Sequence, residues 1–303
     1  MLTSKINFKN FKIGKLKNIK NFRNESWFKK IKLLDTLKSS YEYTYTKNQI
    51  RKIKKNKNFR IIGIGGSTLG IEAIYQFLNH KIKKKFVFIN NLTPNLKSNE
   101  KKIKAINIII SKSGNTLETI ANSNLFVNGN KNIFITEEKK SYLKKLANTL
   151  RAEVIEHKNY IGGRYSVLSE VGMLPAEIMG LNENKFKRLN YLINNKIFLN
   201  ELIKNVSAIL KFVKEKKFNS IILNYDNKSE NLLKWYQQLV AESLGKKSKG
   251  ILPVISTMPK DNHSLLQLYL DGTKNNFFTF FSVLDKKSDM INNKFLQKTH
   301  NYL

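Results

Sequence analysis

Five short strings hold most of the side chains in this sequence that can do chemistry. The first is Gly63-Ile64-Gly65-Gly66-Ser67-Thr68-Leu69-Gly70. Glycines let a backbone approach a ligand closely, and a helix that follows them offers free N–H groups to an anion. The string does not fit a dinucleotide fingerprint. That pattern needs glycine where Thr68 stands and an acid after the next strand, where Asn90-Asn91 stands. A Walker lysine motif is absent as well. A plain strand-to-helix turn would use the same glycines, so this string leaves both readings open.

The second string, Ser111-Lys112-Ser113-Gly114-Asn115-Thr116-Leu117-Glu118-Thr119, packs several hydroxyls and a lysine into one turn before a helix. A phosphate dianion is satisfied by hydroxyl and backbone donors with a helix dipole behind them. Asn115 and Glu118 have capping-box spacing, so a well-capped helix explains that pair but not the run of hydroxyls. The third string is Ile161-Gly162-Gly163-Arg164-Tyr165-Ser166-Val167. Arginine after two glycines can lie close to a ligand and stabilise a developing oxyanion, although a surface loop would read the same way.

The fourth string, Trp235 to Gly245, supplies a base. Gln238 and Glu242 are four apart and share a helix face. Glu242 falls in the last turn before Gly245, where a carboxylate opposes the helix dipole. That placement costs stability and fits a general base. A solvated glutamate would satisfy the same spacing. The fifth string is Asp261-Asn262-His263-Ser264, in which Asp261 is placed to cap the following helix and His263 to exchange protons near neutral pH. His80, His157 and His300 sit in no motif.

These strings need elements to hold them. Short apolar runs at Arg60–Ile64, Phe86–Ile89, Ile106–Ile110, Asn132–Ile135 and Glu153–Ile155 have the length of strands buried on both faces. Helix-length segments lie between them at Thr68–Leu78, Leu117–Val127 and Lys139–Leu150. This alternation predicts an α/β fold with a parallel sheet flanked by helices, whose ligands bind at the carboxyl ends of the strands. A second unit follows, with strands at Ser220–Asn224 and Phe277–Leu284, a short apolar run at Gly250–Ile255 and a helix at Asn231–Leu244. The expected organisation is an N-terminal helical arm over 1–58, a first domain over 59–181, a helical basic connector over 182–216 and a second domain over 217–303.

Composition sets the outer limits. A chain of 303 residues suits roughly two domains of about 150 each, and 41% hydrophobic content is enough for buried cores. No apolar run reaches the ~18 residues of a membrane span, and 1–20 lacks the features of a secretory signal, so the expected location is cytoplasmic. With no cysteine there is no disulfide or thiolate metal site. The formal charge is +33, yet only six of the 55 basic residues are arginine, the usual reader of guanine edges. The lysines run along the whole chain beside Asn and Ile, as A/T-rich codon usage would produce. No specific nucleic-acid partner is expected, although a positive surface attracts anionic sugar phosphates and, nonspecifically, RNA.

The order of the five strings is more informative than any one of them. Gly-Ile-Gly-Gly-Ser, Ser-Lys-Ser-Gly-Asn-Thr-Leu-Glu-Thr, Gly-Gly-Arg-Tyr-Ser-Val, Gln-Gln-Leu-Val-Ala-Glu-Ser-Leu-Gly-Lys and Asp-Asn-His-Ser-Leu-Leu-Gln-Leu-Tyr-Leu-Asp-Gly occur in succession between about residues 60 and 284. They resemble the successive signatures of the phosphoglucose isomerase family. The resemblance implies two sugar-isomerase domains, the second incomplete, and interconversion of glucose 6-phosphate and fructose 6-phosphate through a cis-enediol. It implies that Ser111, Ser113 and Thr116, with Lys112 nearby, hold the phosphate, and that Gly66 and Ser67 line the sugar site. Gln238 would contact substrate, Glu242 would carry the proton between C1 and C2, and Arg164 would stabilise the enediolate. His263 would assist ring opening, contributed across a homodimer by the neighbouring subunit. No metal or organic cofactor is implied. The family also carries a C-terminal segment with a ring-opening lysine that has no match here. A non-catalytic sugar-phosphate binder of the same fold is therefore the competing expectation.

Overall fold

The computed structural model describes residues 31–93, 103–128 and 131–284. Residues 1–30 of the expected arm and 285–303 of the expected second domain lie outside the described residues. Five parallel strands make the first sheet: β1 (Asn58–Ile62), β2 (Lys85–Ile89), β3 (Ile106–Ile110), β4 (Asn132–Thr136) and β5 (Glu153–Glu156), in the order β2-β1-β3-β4-β5. Side chains alternate across a strand with period two, and both faces of this sheet are apolar. Phe59, Ile61, Ile108, Ile110, Ile133 and Ile135 enter one core with α1 (Lys47–Lys54), α2 (Leu69–Leu78) and α5 (Glu170–Ile178). Ile62, Ile109 and Phe134 enter the other with α3 (Leu117–Phe126) and α4 (Tyr142–Thr149).

Before β1, the Tyr41 and Tyr45 side chains fasten the preceding segment to α5. The Tyr41 hydroxyl donates to buried Glu170 at 2.9 Å and the Tyr45 hydroxyl to Glu177 at 2.8 Å. Lys47 donates to both Glu177, at 2.9 Å, and Glu183, at 2.8 Å. After α5 come two single-turn helices, Asn184–Lys187 and Asn190–Ile193, and then α6 (Lys196–Lys214). Asn195 caps α6 by accepting from the Phe198 N–H at 3.0 Å.

The second sheet has three parallel strands, β6 (Asn219–Asn224), β7 (Leu252–Thr257) and β8 (Asn276–Phe281), in the order β7-β6-β8. It carries α7 (Glu230–Leu244) and the short α8 (Leu266–Asp271). Some boundaries depart from expectation for local reasons. The helix expected from Lys139 begins at Tyr142, because Ser141 is the residue whose hydroxyl accepts from the Lys144 N–H. This leaves Lys139 in the loop. The Asn115–Glu118 capping box does not form. Thr116 occupies the N-cap position, and the Asn115 amide oxygen accepts from the Tyr142 N–H at 2.9 Å. Asp261 does not cap α8 either, since its carboxylate accepts from the Thr257 N–H at 2.7 Å and the Ser256 hydroxyl at 3.1 Å.

Candidate functional site

The chain leaves β1 toward β2 on one side and returns to β3 on the other, so the connections after β1 and β3 diverge. Such a switch point opens a crevice at the carboxyl ends of the strands. The β1 connection becomes a single 3-10 turn, Gly65–Ser67, leading into α2. Gly66 is required there. A Cβ on it would lie 2.4 Å from the Arg164 nitrogen and the Gly163 carbonyl carbon, so only glycine lets the two loops touch. The β3 connection turns at Gly114, whose φ of +67° favours glycine. Its hydroxyls interlock: Ser111 and Thr116 are 2.9 Å apart, and the Ser113 hydroxyl accepts from the Asn115 N–H at 3.2 Å.

The second unit delivers the Glu242 carboxylate. Helix α7 packs on α2, where Gln76 bonds to the backbone at Asn227 and Asn231 at its start. The Trp235 indole N–H donates to the Arg164 carbonyl at 2.9 Å, tying α7 to the Gly163–Leu168 turn. Gln238 and Glu242 therefore face the loops of the first sheet. Arg164 donates to Glu242 at 2.7 Å and, through Nε, to the Ser243 hydroxyl at 2.9 Å, and its guanidinium stacks over the Tyr165 ring. The arginine is largely buried and its orientation is set from three sides. Gln238 donates its amide to the second Glu242 oxygen at 3.1 Å. The Gln238 carbonyl oxygen is buried without a hydrogen-bond partner among the described residues, leaving an acceptor for a ligand hydroxyl.

One cleft of about 370 Å³ is lined by Gly66, Ser67, Lys112, Ser113, Thr116, Arg164, Gln238 and Glu242, together with Ile64, Gly163, Glu137 and Lys139. Ser111 lies beneath it, buried, holding Thr116. His263 is not among the lining residues. It sits exposed on the turn Lys260–His263 after β7. Glu137 and Lys139 were not singled out from the sequence. Their signal was their place directly after a parallel strand that points its carboxyl end at the crevice. A larger cavity of about 650 Å³ between α6, α7 and the second sheet is lined by Phe212, Ile222, Trp235, Leu239 and Phe277 among others, and among the described residues its one titratable group is Tyr236.

The cleft therefore combines a carboxylate, a fixed guanidinium, an orphan acceptor and a turn rich in hydroxyls with a lysine. That set can hold an anion at one side and move a proton at the other. Among the described residues no group of three or more metal-ligating side chains is assembled, and no helix is long and apolar enough to cross a membrane.

The model of the phosphoglucose isomerase family matches residues 23–301. A glucose-6-phosphate isomerase of Methanocaldococcus jannaschii is 34% identical over 259 residues, which is 78% of this chain and 63% of that protein. One of Mycoplasmopsis pulmonis is 35% identical over 269 residues, 77% of this chain and 62% of that protein. The chain thus spans less than two thirds of the length of these curated relatives. Among solved structures, a glucose-6-phosphate isomerase from Chlamydia trachomatis superposes with a TM-score of 0.66 at 21% identity, covering 93% of this chain and 58% of that one. At that identity the likeness is one of fold.

Proposed function

The chain belongs to the phosphoglucose isomerase family, and from that premise we propose that it interconverts glucose 6-phosphate and fructose 6-phosphate. The observation that carries the reading is the convergence of Glu242, Arg164 and Gln238 from two separate parts of the chain on the turn that bears Lys112, Ser113 and Thr116. An aldose–ketose isomerase needs a base beside two adjacent carbons and an anchor for the phosphate several atoms away, and this cleft supplies both.

In the proposed reaction the Glu242 carboxylate takes the proton from C2 of the open-chain aldose. The C–H electron pair forms the C1–C2 double bond, and the carbonyl π pair moves to O1. Arg164 neutralises that enediolate oxygen. Proton exchange between O2 and O1 gives the ketose side of the enediol, and Glu242 returns its proton to C1. No redox acceptor enters this balance. Gln238 accepts from a sugar hydroxyl through its orphan carbonyl oxygen, while Ser113, Thr116 and Lys112 hold the phosphate, Ser111 sets Thr116 from beneath rather than touching the ligand as the resemblance implied, and Gly66 and Ser67 border the sugar. His263 lies on the outer turn after β7, and we propose that it serves the cleft of a second subunit in a homodimer, where it assists ring opening. Residues 59–181 and 217–303 act as the two sugar-isomerase domains, with 182–216 as connector, and the cytoplasm is the proposed location.

The test is incubation of the purified chain with glucose 6-phosphate in deuterium oxide, followed by proton NMR. Fructose 6-phosphate should appear together with deuterium at C2 of the recovered aldose. Absence of both product and exchange, from a folded protein, would overturn the proposal.

A further inference from the structure

Glu137 is largely buried just beyond β4, and its N–H donates to the Lys112 carbonyl at 3.1 Å. Its carboxylate is held from both sides. Lys139 Nζ lies 2.6 Å from one oxygen and Lys112 Nζ 3.4 Å from the other. Lys112 is also fixed by donating to the Asn159 carbonyl at 2.8 Å. Burial pushes the Glu137 carboxyl up, but the bonds and charges of Lys139 and Lys112 outweigh it and hold the group below its ordinary value. The carboxylate is therefore ionised across the neutral range.

Among the described residues, the charged side chains lining the cleft are Lys112, Lys139 and Arg164 against Glu137 and Glu242, a net charge of +1. Arg164 and Glu242 satisfy each other at 2.7 Å. The surplus cation belongs to the Lys112–Glu137–Lys139 group, on the side that carries Ser113 and Thr116. A lysine ammonium has three donors. Among the described residues, Lys139 spends one on Glu137 and keeps two for a ligand, whereas Lys112, bonded to Glu137 and Asn159, keeps one. Lysine otherwise sits on a flexible stem, and a fixed carboxylate between two lysines removes that freedom before the ligand arrives.

We propose that Lys139 is a further phosphate-binding cation of this cleft and that Glu137 is the residue that positions Lys139 and Lys112 for it. The proposal rests on the cleft being a sugar-phosphate site. It makes an unusual demand of Glu137. Judged by charge alone, removing a carboxylate beside an anion site should tighten anion binding. As a positioning residue, its loss should weaken it.

The experiment is calorimetric titration of inorganic phosphate and of glucose 6-phosphate into the wild-type chain and into Lys139→Met, Lys139→Arg and Glu137→Gln, with circular dichroism to confirm folding. Lys139 is exposed, so its variants should fold. Lys139→Met should weaken both ligands about tenfold, as expected for one charge-assisted hydrogen bond on a partly exposed group. Lys139→Arg should restore most of that affinity. Glu137→Gln should weaken both ligands about fivefold, with the loss appearing in KM rather than kcat when turnover is followed. Unchanged affinity in Lys139→Met, or tighter binding in Glu137→Gln, overturns the proposal. If the wild-type chain binds neither ligand, the sugar-phosphate reading falls and this proposal with it. If it binds both and the variants match it, only this proposal falls.

Discussion

Replacing Gly66 by alanine is the sharpest way to ask whether contact between the two loops positions the guanidinium. The added Cβ would stand 2.4 Å from the Arg164 nitrogen and 2.5 Å from the Gly163 carbonyl oxygen, where ordinary contact begins near 3.4 Å. The opposing atoms are backbone, so no side chain can swing aside. The loops must part by about 1 Å, and the loop that moves carries Arg164, now 2.7 Å from Glu242. A displacement of about 1 Å at reacting groups costs on the order of 100-fold in rate, and overpacking costs about 1–3 kcal/mol of stability. Gly66→Ala should therefore lower kcat/KM for fructose 6-phosphate about 100-fold, in an assay coupled to a glucose-6-phosphate dehydrogenase, and lower Tm by several degrees. Gly163→Ala is the stability control: its Cβ would meet nothing within 4 Å, so Tm should not move. A Gly66→Ala protein with kcat/KM within about threefold of wild type would show that the loops have room that this geometry denies them and that their contact does not place Arg164.

Other consequences follow from individual contacts. Ser113→Ala should raise KM about tenfold with kcat little changed, since phosphate binding is shared by ground and transition states; steady-state kinetics would show a fall confined to kcat if the role is wrong. Tyr45→Phe removes a buried bond to Glu177, but Lys47 still donates to that carboxylate, so urea denaturation should show a loss of only about 1 kcal/mol. His157 is buried, and burial, with Lys112 nearby, holds its pKa below the ordinary value despite its bond to the Lys158 carbonyl. Unfolded chains take up that proton first, so stability is full above about pH 6.5 and is lost as pH falls from there toward the lower folded value. Tm should drop over that window, and less steeply in His157→Asn, which keeps a donor for the same carbonyl; an identical pH profile would show that His157 is not responsible.

The first sheet was legible in the sequence because it is buried on both faces. Runs such as Ile106–Ile110 and Asn132–Thr136 leave no solvent side for polar residues, and length alone marks them as strands. Strand order was not legible, since the pairing of β1 with both β2 and β3 is decided by how helices pack and not by any residue within the strands. Arg60 shows the limit of pattern reading. It is a cation inside β1, yet it is buried, donates to Asn107 at 3.2 Å and lies over the Phe126 ring. Among the site residues, the hydroxyl turn and the α7 pair announced themselves through their chemistry and spacing. Glu137 and Lys139 did not, because a charged run after a strand reads as the start of a solvated helix. It took Ser141, capping that helix two residues beyond Lys139, to leave them in the loop facing the cleft. Asn115 misled in the opposite sense, because a cap-forming residue was used to bond a neighbouring helix instead.

Glu242 is proposed to move a proton between C1 and C2 of a hexose 6-phosphate. The direct measurement is turnover of fructose 6-phosphate by this chain beside Glu242→Gln, each checked for folding and for glucose 6-phosphate binding. Turnover in the wild type that vanishes in Glu242→Gln, with binding retained, is the predicted result, because an amide keeps the shape but cannot accept the proton. Equal turnover in the two proteins would contradict the claim and move the base elsewhere in the cleft.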